Sequence, residues 1–302
     1  MRESLDAMKA MLRGPIATAC ALAACALSAL PAVAHASDAR AAAVHDTQPP
    51  ALSTPIKARF VVGSLISQFR DTQDGNAFFD VPMRLTWSAT DNTDSELNYD
   101  VWEYPQGAEP NRIGNFITET TFDVLASDYD GFFGGAPNVI DRWGVQAYDD
   151  VGNSTARTVF GAHLFVRQDD PTLHTIGTEA PVKVKGLRYT GTWAVANCAC
   201  YADKTTHRTN AKNAAVAMNV TVAKGQQLSR VALVMDQGPG HGRARILIDG
   251  KASGTVDTLA ANAIHRGVVW TASLRPGAHT IRIVNLATQG RARIDFDAVM
   301  VN

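Results

Sequence analysis

Val81-Pro82-Met83-Arg84-Leu85-Thr86-Trp87-Ser88 alternates a large apolar side chain with a polar or smaller one along its whole length. A period of two belongs to a strand with one buried face; a helix would need its apolar residues three to four apart. Working outward, Leu97, Tyr99 and Val101 make a second such face, and Trp143, Val145 and Ala147 a third. The third runs into Asp149-Asp150-Val151-Gly152-Asn153, which has hairpin-turn chemistry. Thr158 to Val166 predicts a last strand. No convincing helical period occurs between residues 56 and 168, so this half is predicted to be an all-β sandwich.

The second half repeats the pattern. Val216-Met218-Val220-Val222, Val231-Leu233-Met235, Ala244-Ile246-Ile248, Val268-Trp270, Ile281-Ile283 and Ile294-Phe296 read as strands. Gly225, Gly238-Pro239-Gly240, Asp249-Gly250 and Pro276-Gly277 punctuate them. With the Lys183–Trp193 stretch that makes about eight strands, enough for a jelly roll. The polar segment from Gln168 to Thr178, with Pro171, reads as a link. The expected organisation is therefore a sandwich over 56–168, a linker over 169–179 and a jelly-roll sandwich over 180–302.

The N-terminus has a different character. Arg2, Lys9 and Arg13 precede an uncharged run of 17 residues from Gly14 to Leu30, followed by Pro31 and by Ala34-His35-Ala36 before Ser37. A basic start, a short apolar run and an A-x-A end describe a secretory signal peptide over 1–36. Leu22-Ala23-Ala24-Cys25 also resembles a lipobox, which would acylate Cys25 instead; the apolar residues after Cys25 weigh against it. The run barely reaches spanning length and is rich in alanine, and no other segment approaches it, so no transmembrane segment is expected. Export places the chain in the periplasm, at the cell surface or outside the cell. Residues 37–55, with three prolines and many small residues, read as a linker.

Of the 302 residues 46% are hydrophobic and 19% charged, with a formal net charge of −1. That apolar fraction fills one or two ordinary cores and excludes wholesale disorder. The near-neutral total conceals a division. Residues 51–168 carry 8 Lys and Arg against 16 Asp and Glu, a balance of −8; residues 169–302 carry 16 against 9, a balance of +7. A basic half can meet an anionic surface, but nothing in the composition points to nucleic acid.

Trp87-Ser88-Ala89-Thr90-Asp91, Tyr99-Asp100-Val101, Val145-Gln146-Ala147-Tyr148-Asp149 and Gly152-Asn153 resemble the Ig-like and fibronectin type III modules of bacterial surface proteins. The loop Asp128-Tyr129-Asp130-Gly131-Phe132-Phe133-Gly134-Gly135 is foreign to that pattern. In the second half the ordered series begins with Tyr189-Thr190-Gly191-Thr192-Trp193 and the Tyr201 to Arg208 loop. It continues through Gly242–Gly250 and Leu274–Ile283 to Ile294-Asp295-Phe296-Asp297-Ala298. That series resembles the galactose-binding-domain-like jelly rolls of secreted bacterial proteins, carbohydrate-binding modules among them. The resemblance implies a non-catalytic carbohydrate-binding role for the second half, and a binding loop at one end of its sandwich.

Sugar recognition stacks aromatic faces on C–H surfaces and reads hydroxyls with polar groups. Trp193, Tyr201, Asp203, His207 and Arg208 supply those residue types within one stretch. His207 with Arg208 is the best polar pair for an anionic sugar, although Trp193 is equally a core strand residue by its pattern. Trp270 reads as core, and His279 as a structural turn residue.

Catalytic signatures are missing from the sequence: no G-x-S-x-G, no H-E-x-x-H, and no Lys-Ser or Lys-Thr after Gly238-Pro239-Gly240-His241-Gly242, which reads as a hairpin turn. No catalytic residue is assigned, and the chain is read as a non-enzyme. Asp91 with Asp94, Asp128 with Asp130 and Asp149 with Asp150 sit in turns, where Asx hydrogen bonding explains them first and structural calcium second. No other cofactor is expected. Cleavage after Ala36 leaves Cys198 and Cys200, for which a local disulfide, a zinc site with His207, and free or intermolecular thiols all stand as readings. Two functions compete with sugar binding: a structural or protein-adhesion module, and an accessory subunit of a secreted hydrolase.

Overall fold

The computed structural model describes residues 46–52, 56–70, 77–105, 108–127, 140–163, 165–167, 174–175, 182–222 and 229–302. The expected signal peptide, most of the 37–55 linker, the Asp128–Gly135 loop and most of the 169–179 link lie outside these residues. So does Cys25 with its lipobox.

The described chain is all-β. Its one helical turn is the 3-10 segment Ala202–Lys204, and among the described residues no helix is long and apolar enough to cross a membrane. In the first half, Lys57–Phe60, Ser67–Arg70 and Thr121–Ser127 each pair antiparallel with Ala77–Thr86. A second sheet runs in the order Thr158–His163, Ile140–Tyr148, Asn98–Glu103, Asn111–Ile117. Val81, Met83 and Leu85 of the first sheet and Val101, Val145 and Ala147 of the second are fully buried between them. These are the alternating positions of the sequence, and burying one face is what makes the two sheets pair.

The second half is a sandwich of two larger antiparallel sheets. One runs Ala194–Asn197, Thr205–Thr209, Ile294–Val301, Ser229–Gln237, Ile264–Leu274; the other runs His174–Thr175, Val182–Thr190, Ala215–Val222, Gly277–Asn285, Arg243–Ile248, Lys251–Asp257. Neighbours in space are mostly distant in sequence, as the jelly-roll expectation requires. Val216, Met218, Val220, Leu233, Met235, Ile246, Ile281, Ile283 and Phe296 fill the interior.

Two local expectations need correction. The strand expected from Thr158 to Val166 divides: Thr158–His163 closes the first sandwich, while Phe165–Arg167 pairs with the final strand of the second. The glycine-rich Gly238–Gly242 stretch is a turn but not a hairpin, because the strands it joins belong to opposite sheets. The two interiors are also not the whole of the apolar packing. Ala202, Ala232, Val234, Val268, Ala298 and Met300, on the outer face of the second sandwich, belong to the same buried cluster as the core of the first. Backbone bonds stitch this seam: Gly63 N–H to the Val268 carbonyl (2.8 Å), Val268 N–H to Ser64 (2.9 Å) and Ile66 N–H to Arg266 (3.1 Å).

Candidate functional site

An open groove of about 660 Å³ lies at one edge of the second sandwich, lined by Thr192, Ala194, Arg208, Thr209, Asn210, Ala211 and Arg293. Its walls come from the turn before the edge strand Ala194–Asn197, from the end of Thr205–Thr209, and from the approach to the final strand. One buried residue braces them. The Asn285 amide, fully buried, donates to the carbonyls of Ala292 (2.9 Å), Ala211 (3.2 Å) and Thr209 (3.4 Å), and its oxygen accepts from Ala287 N–H (2.9 Å). Thr209 adds a hydroxyl bond to the Thr192 carbonyl at 2.6 Å and accepts Ala211 N–H at 3.1 Å. Buried polar groups satisfied in this way fix the loops around them.

Two guanidinium groups face the groove in different states. Arg293 is committed: it forks onto Asp295, which is fully buried, with Nε at 2.7 Å from one carboxylate oxygen and a second bond to the other. Arg208 is exposed. An exposed arginine fork lining a groove is suited to bidentate capture of a carboxylate or sulfate, and Asn210 and Thr192 line the same groove with amide and hydroxyl groups.

Of the residues predicted for binding, only Arg208 lines the groove. His207 and Arg208 do not act as a pair, because neighbours in a strand point to opposite faces. The His207 ring stacks on Tyr189, centroids 4.2 Å apart. Trp193 is half-buried, with its edge against Tyr189 at 5.2 Å and its Nε1 donating to the Thr190 carbonyl at 3.1 Å; it packs on the core of the second sandwich. Tyr201 is only 9% exposed and turns its edge to His265, centroids 5.4 Å apart. It therefore offers no open ring face for stacking. Asp203 falls in the 3-10 turn, and its side chain lies outside the described residues. Trp270 is half-buried against the second core. His279 is structural but stands in the strand Gly277–Asn285, paired with Val220, rather than in the turn expected. It is held by the Asp249 carboxylate (2.8 Å) and the Arg275 carbonyl (2.9 Å), and its carboxylate partner raises its pKa.

Arg293, Asn210 and Thr192 were not foreseen. Arg291-Ala292-Arg293-Ile294, with its basic alternation just before the last strand, is the one signal that pointed there.

Cys198 and Cys200 are joined by a disulfide, Cα atoms 5.0 Å apart, so the zinc and free-thiol readings do not describe this state. The bridge closes the start of the Cys198–Lys204 loop, in which Cys198 N–H donates to the Lys204 carbonyl at 2.9 Å.

Acidic turns of the first sandwich converge. Carboxylate oxygens of Asp46, Asp91 and Asp149 lie within 4.8 Å of one another, as do those of Asp94, Asp149 and Asp150. Asp91 Oδ1 makes an Asx turn with Thr93 and Asp94 N–H (3.0 and 3.1 Å), whereas its Oδ2 is buried without a hydrogen-bond partner. Asp149 accepts from Asn153 N–H and Nδ2, both at 2.7 Å. Contact with Asp94 raises the pKa of Asp150, a sign of like charges crowded together. Clustered loop carboxylates with an unshared oxygen fit a hard cation such as calcium. Asp128 and Asp130 lie outside the described residues.

No protein-family model matches this chain, and no curated protein does. Solved structures with a likeness to it include the CBM36-1 domain of a multidomain xylanase from the hindgut metagenome of Trinervitermes trinervoides (12% identity, 46% of this chain and 96% of that one, TM-score 0.29). Another is a CBM35 from Cellvibrio japonicus Abf62 (17%, 46% and 92%, TM-score 0.32). An exo-β-1,3-galactanase from Phanerochaete chrysosporium is similar over more of the chain (10%, 82% and 69%, TM-score 0.34). At these levels of likeness none of them bears on what this chain binds.

Proposed function

We propose that this chain is an exported, non-catalytic protein that binds an acidic polysaccharide or cell-wall polymer in the groove beside Arg208, with the first, Ig-like sandwich serving as its spacer. The observation that carries this reading is the groove itself: an Asn285-braced open cleft lined by an exposed arginine. The +7 balance of the second half supports an anionic ligand. Affinity electrophoresis of the full chain through gels containing polygalacturonate, alginate or neutral xylan is the direct test. Retardation by the acidic gels is expected, with Arg208→Ala weakening it at least about tenfold, the effect of losing one charge-assisted fork. Equal mobility in all gels at low salt would overturn the reading.

Calcium is the cofactor this reading adds, held by Asp46, Asp91 and Asp149 with Asp94 and Asp150 beside them. It would pin the entry to the first sandwich onto two of its turns and act structurally, away from the groove.

One observation favours the competing reading of a structural or adhesion module without a sugar site. Tyr201 is buried, and Trp193 and His207 both pack on Tyr189, so the stretch expected to stack sugars spends its rings on packing. Equal mobility in every gel, for the wild type and Arg208→Ala alike, would favour it.

A further inference from the structure

The outer face of the second sandwich carries three buried carboxylates at the edge of the apolar seam. Asp236, Asp295 and Asp297 are 1%, 0% and 2% exposed. Asp236 and Asp295 are direct cross-strand partners, the arrangement in which like charges oppose pairing most. Arg293 neutralises Asp295. Asp236 and Asp297 have no such fork. Asp236 Oδ1 accepts from His265 Nδ1 (3.2 Å) and Arg266 N–H (3.3 Å), while its Oδ2 is buried without a partner. Arg266 stands nearby, yet its Nε is also buried and unpartnered. Asp297 is held by a single backbone donor, Ala202 N–H, shared between its two oxygens at 3.0 and 3.2 Å.

These groups are joined to the seam through the backbone. Ala202 is itself a seam residue with no exposed surface. Arg266, whose N–H reaches Asp236, gives its carbonyl to Ile66 of the first sandwich at 3.1 Å, and Val234 and Ala298 lie beside the two acids in the chain. The other titratable groups facing the pair are His241, whose Nδ1 is 3.1 Å from the Asp236 carbonyl, and Tyr201. The stretch Val61–Ile66 that packs from the first sandwich carries no charge.

We propose that the seam between the two sandwiches is a proton-dependent latch, closed while Asp236 and Asp297 carry protons and loosened as both ionise. Burial penalises the two carboxylates first, ahead of their charged neighbours, and pushes Asp236 to about 6 and Asp297 to about 8. Both values lie above the ordinary 3.8, so the folded chain binds more protons than the unfolded one between roughly pH 4 and 8. Stability therefore declines as pH rises through that window and levels off above it. Burial also depresses the pKa of His241, which disfavours a compensating charge there; that shift makes stability rise with pH toward the ordinary 6.5 of histidine, opposite in sign to the two carboxylates.

The test is thermal unfolding of the full chain in a chelating, calcium-free buffer from pH 5 to pH 8.5. The melting temperature is expected to fall across the range, the unfolding constant rising by up to about tenfold per pH unit for each ionising carboxyl. Asp297→Asn should flatten the upper part of the curve and Asp236→Asn the lower part. Amide exchange of wild-type Gly63, Ile66 and Val268, corrected for intrinsic rates, should accelerate at pH 8 relative to pH 6, which keeps the test decisive if either variant misfolds. A flat wild-type curve, unchanged exchange at the seam, or variants that keep the full wild-type slope would overturn the latch. So would a stabilisation by calcium at pH 8 that disappears in Asp297→Asn, because a cation would then be holding the acids ionised.

Discussion

Single residues set the shape of the groove. Replacing Asn285 by Ala removes the side-chain partner of three carbonyls and one amide, and should cost about 1–3 kcal/mol in urea denaturation. Arg208→Ala, on an exposed side chain, should leave that measurement unchanged, so the pair separates a brace from a contact. Gly242 is a second fixed point: a Cβ there would meet the Arg291 carbonyl oxygen at 2.2 Å. Gly242→Ala is expected to destabilise by about 1–3 kcal/mol, the usual cost of forcing an atom into a packed site. At this scale the sequence was half legible. Arg208 was visible because it is a cation in the stretch that also carries Trp193, Tyr201, Asp203 and His207. Its separation from His207 follows from strand alternation, which became readable only once Thr205–Thr209 was known to be a strand. Tyr201 was misplaced for a different reason: it is buried and turns its edge to His265, a contact between residues more than sixty positions apart.

Among the elements, Ala77–Thr86, Ala215–Val222 and Arg243–Ile248 were legible because burying one face imposes a period of two; Lys57–Phe60 and Thr121–Ser127 share that period and were passed over. Ala194–Asn197 and Thr205–Thr209 were not legible, since an edge strand with mostly exposed positions and a Thr-rich partner leave no alternating apolar signal. The Cys198–Cys200 bridge constrains a very short loop, so Cys198→Ser with Cys200→Ser should lower stability by less than about 2 kcal/mol in chemical denaturation. The acidic turns predict a larger response. Millimolar calcium is expected to raise the melting temperature by several degrees through mass action on the folded state, and Asp149→Asn should remove most of that rise. No change in the wild-type protein on calcium addition or chelation would exclude the cation. Turn chemistry was readable in Asp149 to Asn153; that Asp46 and Asp91 close on the same point was not, because the chain had to fold to bring them there.

For the molecule as a whole, charge divides into an acidic and a basic half. The structure joins them by apolar contact and backbone pairing, which salt does not screen. Val234→Glu, placing an unpaired charge in the seam, should therefore destabilise the entire chain by more than about 2 kcal/mol, read as one coincident loss of near-ultraviolet and far-ultraviolet circular dichroism. Two separated transitions with the first unchanged would contradict it. The allotment of Thr158–His163 to one sandwich and Phe165–Arg167 to the other has a historical corollary. Phe165–Arg167 belongs to the second sandwich by pairing but precedes the segment a parser would choose as the boundary. A recombination event that cut the gene within residues 169–179 would deliver a jelly roll lacking an edge strand and exposing a greasy wall. Such a fragment makes a poor cassette for exon-style shuffling, so these two units should be inherited together wherever descendants of this gene are found.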